Sequence, residues 1–307
     1  MTVLQELRTL SGDPQAYART AIGLLKPKQR LDVVLAALLA LTEMPAPQAR
    51  EPLLRLYCHY AANGPKRDPG AHTRRAILDA LRPVALPDDV PLLFDAVATY
   101  EFLPPDFKED AVLLRSGALL ILNELDRSLA RFHAARLLVD RYTEKMSAEP
   151  ALTAVRVLHS QDELLPLYQL AMSAAGSNLP DVISECLRCL TRIPEELVPS
   201  LIERYGESKD GVILVGLYEF LIGHHAGPQA LDFLATSLAS QTDFDVYRYL
   251  VITLLSSRQP ILISLVSNTA HFETDSKRIA ILLEAAELFS TDPDIADLVQ
   301  QLRADRT

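Results

Sequence analysis

Apolar side chains recur at i, i+3, i+4 and i+7 along almost the whole chain, the period of helices with one buried face. Over 181–193 the set is Val182, Ile183, Cys186, Leu187, Leu190 and Ile193, and over 195–205 it is Leu197, Val198, Leu201, Ile202 and Tyr205. Only a Pro-Glu-Glu connection separates the two, short enough to make them antiparallel neighbours. The same reading predicts helices over 3–11, 14–26, 28–44, 47–63, 70–84, 88–102, 108–126, 128–145 and 149–160. It continues with 162–175, 180–193, 195–206, 210–224, 228–240, 243–257, 259–271, 275–290 and 293–304.

Three stretches share one design: Asp88-Asp89-Val90-Pro91, Asp162-Glu163-Leu164-Leu165-Pro166 and Glu195-Glu196-Leu197-Val198-Pro199. Each sets an acidic pair before a proline at a helix start, where the missing N–H costs nothing and negative charge offsets the helix dipole. The interval from Pro166 to Pro199 is the length of one helix pair in a repeat array. From residue 88 the helices pair, with first helices starting near 88, 128, 162, 195, 228 and 259. Asp181, Asp243 and Asp275 stand where a side-chain oxygen would cap the next helix.

The expected fold class is therefore all-α, an α-solenoid of stacked antiparallel helix pairs forming one domain over 1–307. Residues 1–45 would be an N-terminal helical cap or degenerate repeat, 46–290 the repeats and 291–307 a C-terminal capping helix. Composition agrees: 49% of residues are hydrophobic but aromatics are 6% and Trp is absent, while Gly (11) is scarcer than Pro (20). The longest apolar runs, 33–41 and 112–122, are shorter than the roughly 20 residues of a membrane span and read as core helices. Three cysteines give no disulfide framework and suit a reducing cytoplasm.

The net charge of −10 is unevenly spread. Residues 1–82 hold 12 Lys+Arg against 7 Asp+Glu, and residues 83–307 hold 18 against 33. An acidic body argues against extended contact with a phosphate backbone, which needs clustered cations. The stretch 1–82 is the one place where a nucleic acid could dock.

These features resemble HEAT-type (armadillo-like) helical repeats. In the HEAT-like repeats of bacterial proteins the second helix commonly opens on an acid followed by an arginine. Asp243 through Arg248 is the best match, with looser versions at Asp275–Arg278, Asp181–Arg188 and Glu149–Arg156. The resemblance implies a right-handed superhelix whose second helices line a concave binding surface. Along it Arg115, Arg156, Arg188, Arg248 and Arg278 recur once per repeat, with one unit skipped between Arg188 and Arg248. They form either a basic stripe for an acidic partner or an inter-repeat ladder paired with acids such as Asp243 and Asp275. If the ladder is structural, removing Arg248 lowers the melting temperature.

Candidate partner-binding residues are Lys66, Arg67, His72, Arg74 and Arg75, the densest cationic stretch, together with Tyr218, Glu219 and Tyr247. Cys186-Leu-Arg-Cys189 has CxxC spacing but lies mid-helix without a second ligand pair, so Cys186 reads as core. No catalytic constellation, cofactor motif or metal signature emerges. The leading expectation is a non-catalytic scaffold that grips a protein or peptide, with no membrane contact and nucleic acid disfavoured. Two alternatives share the fold: a nucleic-acid-binding or DNA-repair protein like the HEAT-like alkylpurine glycosylases, and a HEAT-like bilin lyase. The charge of the concave face separates them, a positive groove favouring nucleic acid and a mixed apolar one favouring protein.

Overall fold

The structure, a computed structural model, describes residues 9–10, 12–173, 179–224 and 228–304. Helix dominates, and no described helix is long and apolar enough to cross a membrane. The chain divides into two compact units, Met1–Gln161 and Asp162–Thr307, the division falling inside the stretch expected to be one array.

In the first unit the helices are α1 (Pro14–Leu24), α2 (Leu31–Glu43), α3 (Arg50–Ala61), a single turn α4 (Gly64–Arg67) and α5 (His72–Leu81). They continue with α6 (Val90–Val97), α7 (Val112–Leu125), α8 (Arg127–Leu138) and α9 (Ala151–Ser160). Pairs form between α1 and α2, α3 and α5, α6 and α7, and α8 and α9, while α2, α5, α7 and α9 pack successively on one another. These second helices begin at Leu31, His72, Val112 and Ala151, at even intervals of about 40 residues. Their inward faces, such as Ile77, Leu78 and Leu81 on α5 and Leu114, Leu119 and Leu122 on α7, are sealed from solvent.

The second unit holds α10 (Leu164–Met172), α11 (Pro180–Cys189), α12 (Val198–Tyr205), α13 (Gly211–His224) and α14 (Pro228–Ser240). After these come α15 (Phe244–Ser256), α16 (Pro260–Phe272), α17 (Ser276–Leu288) and α18 (Pro293–Ala304). One row is α10, α12, α14, α16 and α18, each on the next; the other is α11, α13, α15 and α17. Here second helices begin at Pro180, Gly211, Phe244 and Ser276, at shorter intervals of about 32 residues. The two units thus run at different periods.

The expected helices agree with the observed ones from residue 14 onward, and the helix expected over 3–11 lies largely outside the described residues. Two expected helices run long. Those expected over 88–102 and 128–145 stop at Val97 and Leu138. The chain beyond Val97 instead makes a small antiparallel hairpin, β1 (Phe102–Leu103) and β2 (Lys108–Glu109), pairing Phe102 with Glu109 and Leu103 with Lys108. Asp243 and Asp275 do cap, accepting the amides of Asp245 and Val246 and of Lys277 and Arg278. Asp181 sits in the first turn of α11 rather than at its cap, which is Leu179.

One glycine sets the spacing of the second row. A Cβ on Gly216 of α13 would stand 2.7 Å from the Cα and carbonyl oxygen of Ser184 on α11, backbone that cannot step aside. Gly23, on α1, has nothing within 4 Å of the same position. Gly216→Ala is expected to destabilise by about 1–3 kcal/mol through overpacking. Gly23→Ala should be neutral or stabilise by up to about 1 kcal/mol, because it removes a poor helix former. Paired thermal melts of the two variants check both.

Candidate interaction surfaces

The first unit is tied together by buried ion pairs. Asp68 accepts the amides of Thr73 (2.8 Å) and Arg74 (2.9 Å) at the start of α5 and the Arg74 Nε (3.0 Å). The two terminal nitrogens of Arg74 then donate to the two carboxylate oxygens of Glu101, each at 2.7 Å. All three side chains are at most 8% exposed. A methyl group on Gly64 would collide with this pair, meeting both Glu101 Oε1 and Arg74 Nη1.

The arrangement recurs one helix pair later. Glu109 accepts the amides of Glu101 (3.1 Å) and Ala111 (2.8 Å) and pairs with Arg115 on α7 at 2.8 Å. Arg115 also meets Asp140 (3.3 Å), donates to the Thr99 carbonyl (3.0 Å) and lies 4.1 Å over the Tyr100 ring, with no exposure at all. Tyr100 closes the circuit by donating to Asp140 at 2.9 Å, and burial followed by that bond raises its pKa. In the helix pair after that, Glu149 keeps the capping role, accepting from Ser116, the Thr153 amide and the Thr153 hydroxyl, while the arginine position is Val155. Breaking a buried pair of this kind leaves an uncompensated charge and is strongly destabilising, even where the pair itself adds little net stability.

This geometry corrects part of the sequence reading. Arg74, expected to face a partner, is 2% exposed because two carboxylates claim it. Arg75 pairs with Asp79 and donates to the Leu113 carbonyl, and Arg67 donates to the His59 carbonyl. Lys66, Arg67 and His72 stay at the surface. Tyr218 and Tyr247, expected as aromatic anchors, are 1% and 0% exposed and belong to the core of the second unit. Burial pushes the Tyr247 hydroxyl up to about 12, the Arg278 guanidinium 4.6 Å over its ring acting in the opposite sense.

The stepped arginines of the second unit are engaged with acids and carbonyls. Arg188 on α11 contacts Glu219 on α13, and Glu219 also accepts from the Tyr249 hydroxyl on α15, so three successive second helices are joined. Arg248 reaches Glu284 on α17 at 3.4 Å and Asp245 at 3.7 Å. Arg278 pairs with Glu273 at 3.0 Å and donates to the carbonyls of Ala239 and Gln241. In the first unit Arg156 is exposed on α9. Asp243 and Asp275 are not the partners of these arginines, since they are spent on helix caps. Cys186 is buried, and burial raises its thiol pKa, as a core residue requires.

What the first unit leaves open is apolar. Helix α2 shows Leu31 (52% exposed), Leu35 (39%) and Leu39 (52%) at i, i+4 and i+8. Leu35 and Leu39 line a groove of about 600 Å³ with Thr42, Ala76, Pro83 and Glu124. Its rim charges neutralise each other, Arg82 pairing with Glu124 at 2.5 Å and Arg75 with Asp79 at 2.9 Å. The sequence does hold a signal for this surface. Leu31–Glu43 is apolar on nearly all sides, and a helix of that kind in an outer position must show some of its leucines to solvent.

No protein-family model matches the chain, and no curated protein matches it. Among solved structures, the crystal structure of an engineered protein from the Northeast Structural Genomics Consortium aligns at 11% identity, covering 99% of this chain and 98% of that one. Its TM-score of 0.36 is too low to carry any property across.

Position, not membership of the ladder, decides what each arginine is worth. Arg115→Ala is expected to destabilise by about 3–5 kcal/mol. Arg248→Ala, removing a side chain 44% exposed and paired with a carboxylate 66% exposed, should cost at most about 1 kcal/mol. Urea unfolding of the two variants checks the contrast.

Proposed function

We propose that the protein is a non-catalytic binding scaffold of HEAT-like, armadillo-like repeats, an α-solenoid that docks a protein or peptide on the second-helix face of its first unit. The carrying observation is the Leu31–Leu35–Leu39 stripe, which opens onto a groove whose charged rim is internally neutralised. Contiguous exposed apolar surface with a polar rim is the signature of a macromolecular contact. The alternation of helix packing within each unit, repeating every ~30–40 residues, supports the solenoid reading. Three free cysteines agree with a reducing compartment such as the cytoplasm.

The nucleic-acid alternative asks for a continuous cationic groove, and most arginines that would form it are held by acids and carbonyls. The bilin-lyase alternative has no residue that speaks for it. Affinity capture of the tagged protein from its source lysate, with nuclease treatment, tests the proposal against a Leu35→Glu/Leu39→Glu variant. Both leucines are partly exposed, so the variant should melt within a few degrees of the parent. The expected result is nuclease-resistant recovery of defined proteins by the parent and its loss in the variant. Recovery abolished by nuclease, or unaffected by the variant, overturns the proposal.

A further inference from the structure

A second opening in the first unit has a different chemistry. Between the β1–β2 hairpin and the 139–150 segment lies a cleft of about 380 Å³. Both walls are held by the same side chain, because Arg115 binds Glu109 at the end of the hairpin and Asp140 at the start of the opposite segment. Asp140 also accepts the Tyr142 amide (3.0 Å), and the Glu144 amide donates to the Glu149 carbonyl (2.8 Å). The walls are therefore positioned before any ligand arrives.

Three kinds of group face the opening: aromatic rings, ammonium groups and a carboxylate. Phe107 on the hairpin is 67% exposed with a backbone φ of 51°, a left-handed conformation that is unfavourable for a bulky residue. Its ring sits in solvent and gains no packing in return. Tyr142 on the other wall is immobilised by the edges of Phe102 (5.1 Å) and Tyr100 (5.7 Å) and by the Arg141 guanidinium 4.6 Å over its ring. Lys108 and Lys145 bring two ammonium groups; Lys108 is 66% exposed and 3.8 Å from Glu144. The Glu144 carboxylate is held below its usual pKa range, first by the Ser147 backbone N–H at 2.7 Å. It is thus an ionised acceptor at neutral pH. The Thr143 hydroxyl, buried beside it, has no hydrogen-bond partner.

We propose that this cleft binds a planar heteroaromatic ring carrying an anionic group, in the form of a nucleoside monophosphate. The exposed Phe107 face supplies a stacking platform that accepts any base. Of the two carboxylates on the lining, Glu109 is held by Arg115 and Glu144 lies against Lys108, which leaves the Lys145 ammonium to meet the phosphate. Glu144 offers an acceptor to the ring's N–H groups. The site is separate from the leucine groove and does not depend on the scaffold reading.

Isothermal titration of the intact protein with adenosine and cytidine 5′-monophosphates, the parent nucleosides and inorganic phosphate tests this. Saturable binding of the monophosphates at micromolar to millimolar concentration is expected, with nucleosides and phosphate each much weaker. Phe107→Ala should weaken monophosphate binding about tenfold without lowering the melting temperature. Lys145→Gln should weaken it several-fold and flatten its salt dependence. No saturable binding, phosphate alone binding as tightly as the monophosphates, nucleosides doing so, or an unchanged Phe107→Ala affinity each overturns the proposal.

Discussion

Arg115 is a fixed positive charge with no access to water, and much of the first unit is arranged to keep it paired. A guanidinium cannot escape burial by losing its proton, so the fold must bring acceptors to it. Glu109, Asp140 and the Thr99 carbonyl come from three segments just outside the helices, although periodicity extends a helix over each of them. The Arg74 pair makes the same demand on Asp68 and Glu101. This accounts for the longer period there. Helix pairs spaced about 40 residues apart, against about 32 in the second unit, have room for the hairpin and loops that deliver the acids.

The second unit has no equivalent need and is built differently. Its second helices approach one another closely, as Gly216 against Ser184 shows, and the arginines run along a partly exposed face between them. Pairs of that kind are weak individually because water competes for both partners, so they bias the stacking register without carrying it. Register here rests on close packing, and in the first unit on buried charge.

Sequence periodicity revealed the helices well, because each buries one face against neighbours and the 3.6-residue pattern records that burial directly. The caps at Asp243 and Asp275 were legible for the same local reason. What the sequence hid was long-range. Residue type alone does not distinguish Arg74 from the exposed Lys66 and Arg67, since one of the partners that remove it from the surface, Glu101, lies 27 residues on. Tyr218 and Tyr247 fit both the core stripe and an exposed face until neighbouring helices are in place. The spacing of an acid six positions before an arginine, at 68 and 74 and again at 109 and 115, was a visible repeat that points to the clamps. It is weak in sequence because the next occurrence, after Glu149, has Val155 in place of the arginine.

The charge asymmetry changes meaning once the pairs are known. Counting to residue 82 leaves a basic segment, yet Arg50, Arg74 and Arg82 are neutralised by Asp89, Glu101 and Glu124, acids that fall on the other side of that boundary. The apparent dipole along the sequence is partly a set of inter-repeat pairs cut in half by the count. A surface with its charges already satisfied has little to offer a polyanion; what it presents is shape and apolar area. The leucines of α2 provide that area in the first unit. In the same unit Lys108 and Lys145 line a cleft whose backbone Arg115 pins from behind, and two isolated ammonium groups among carboxylates suit, under the proposal above, a small anion rather than a long one.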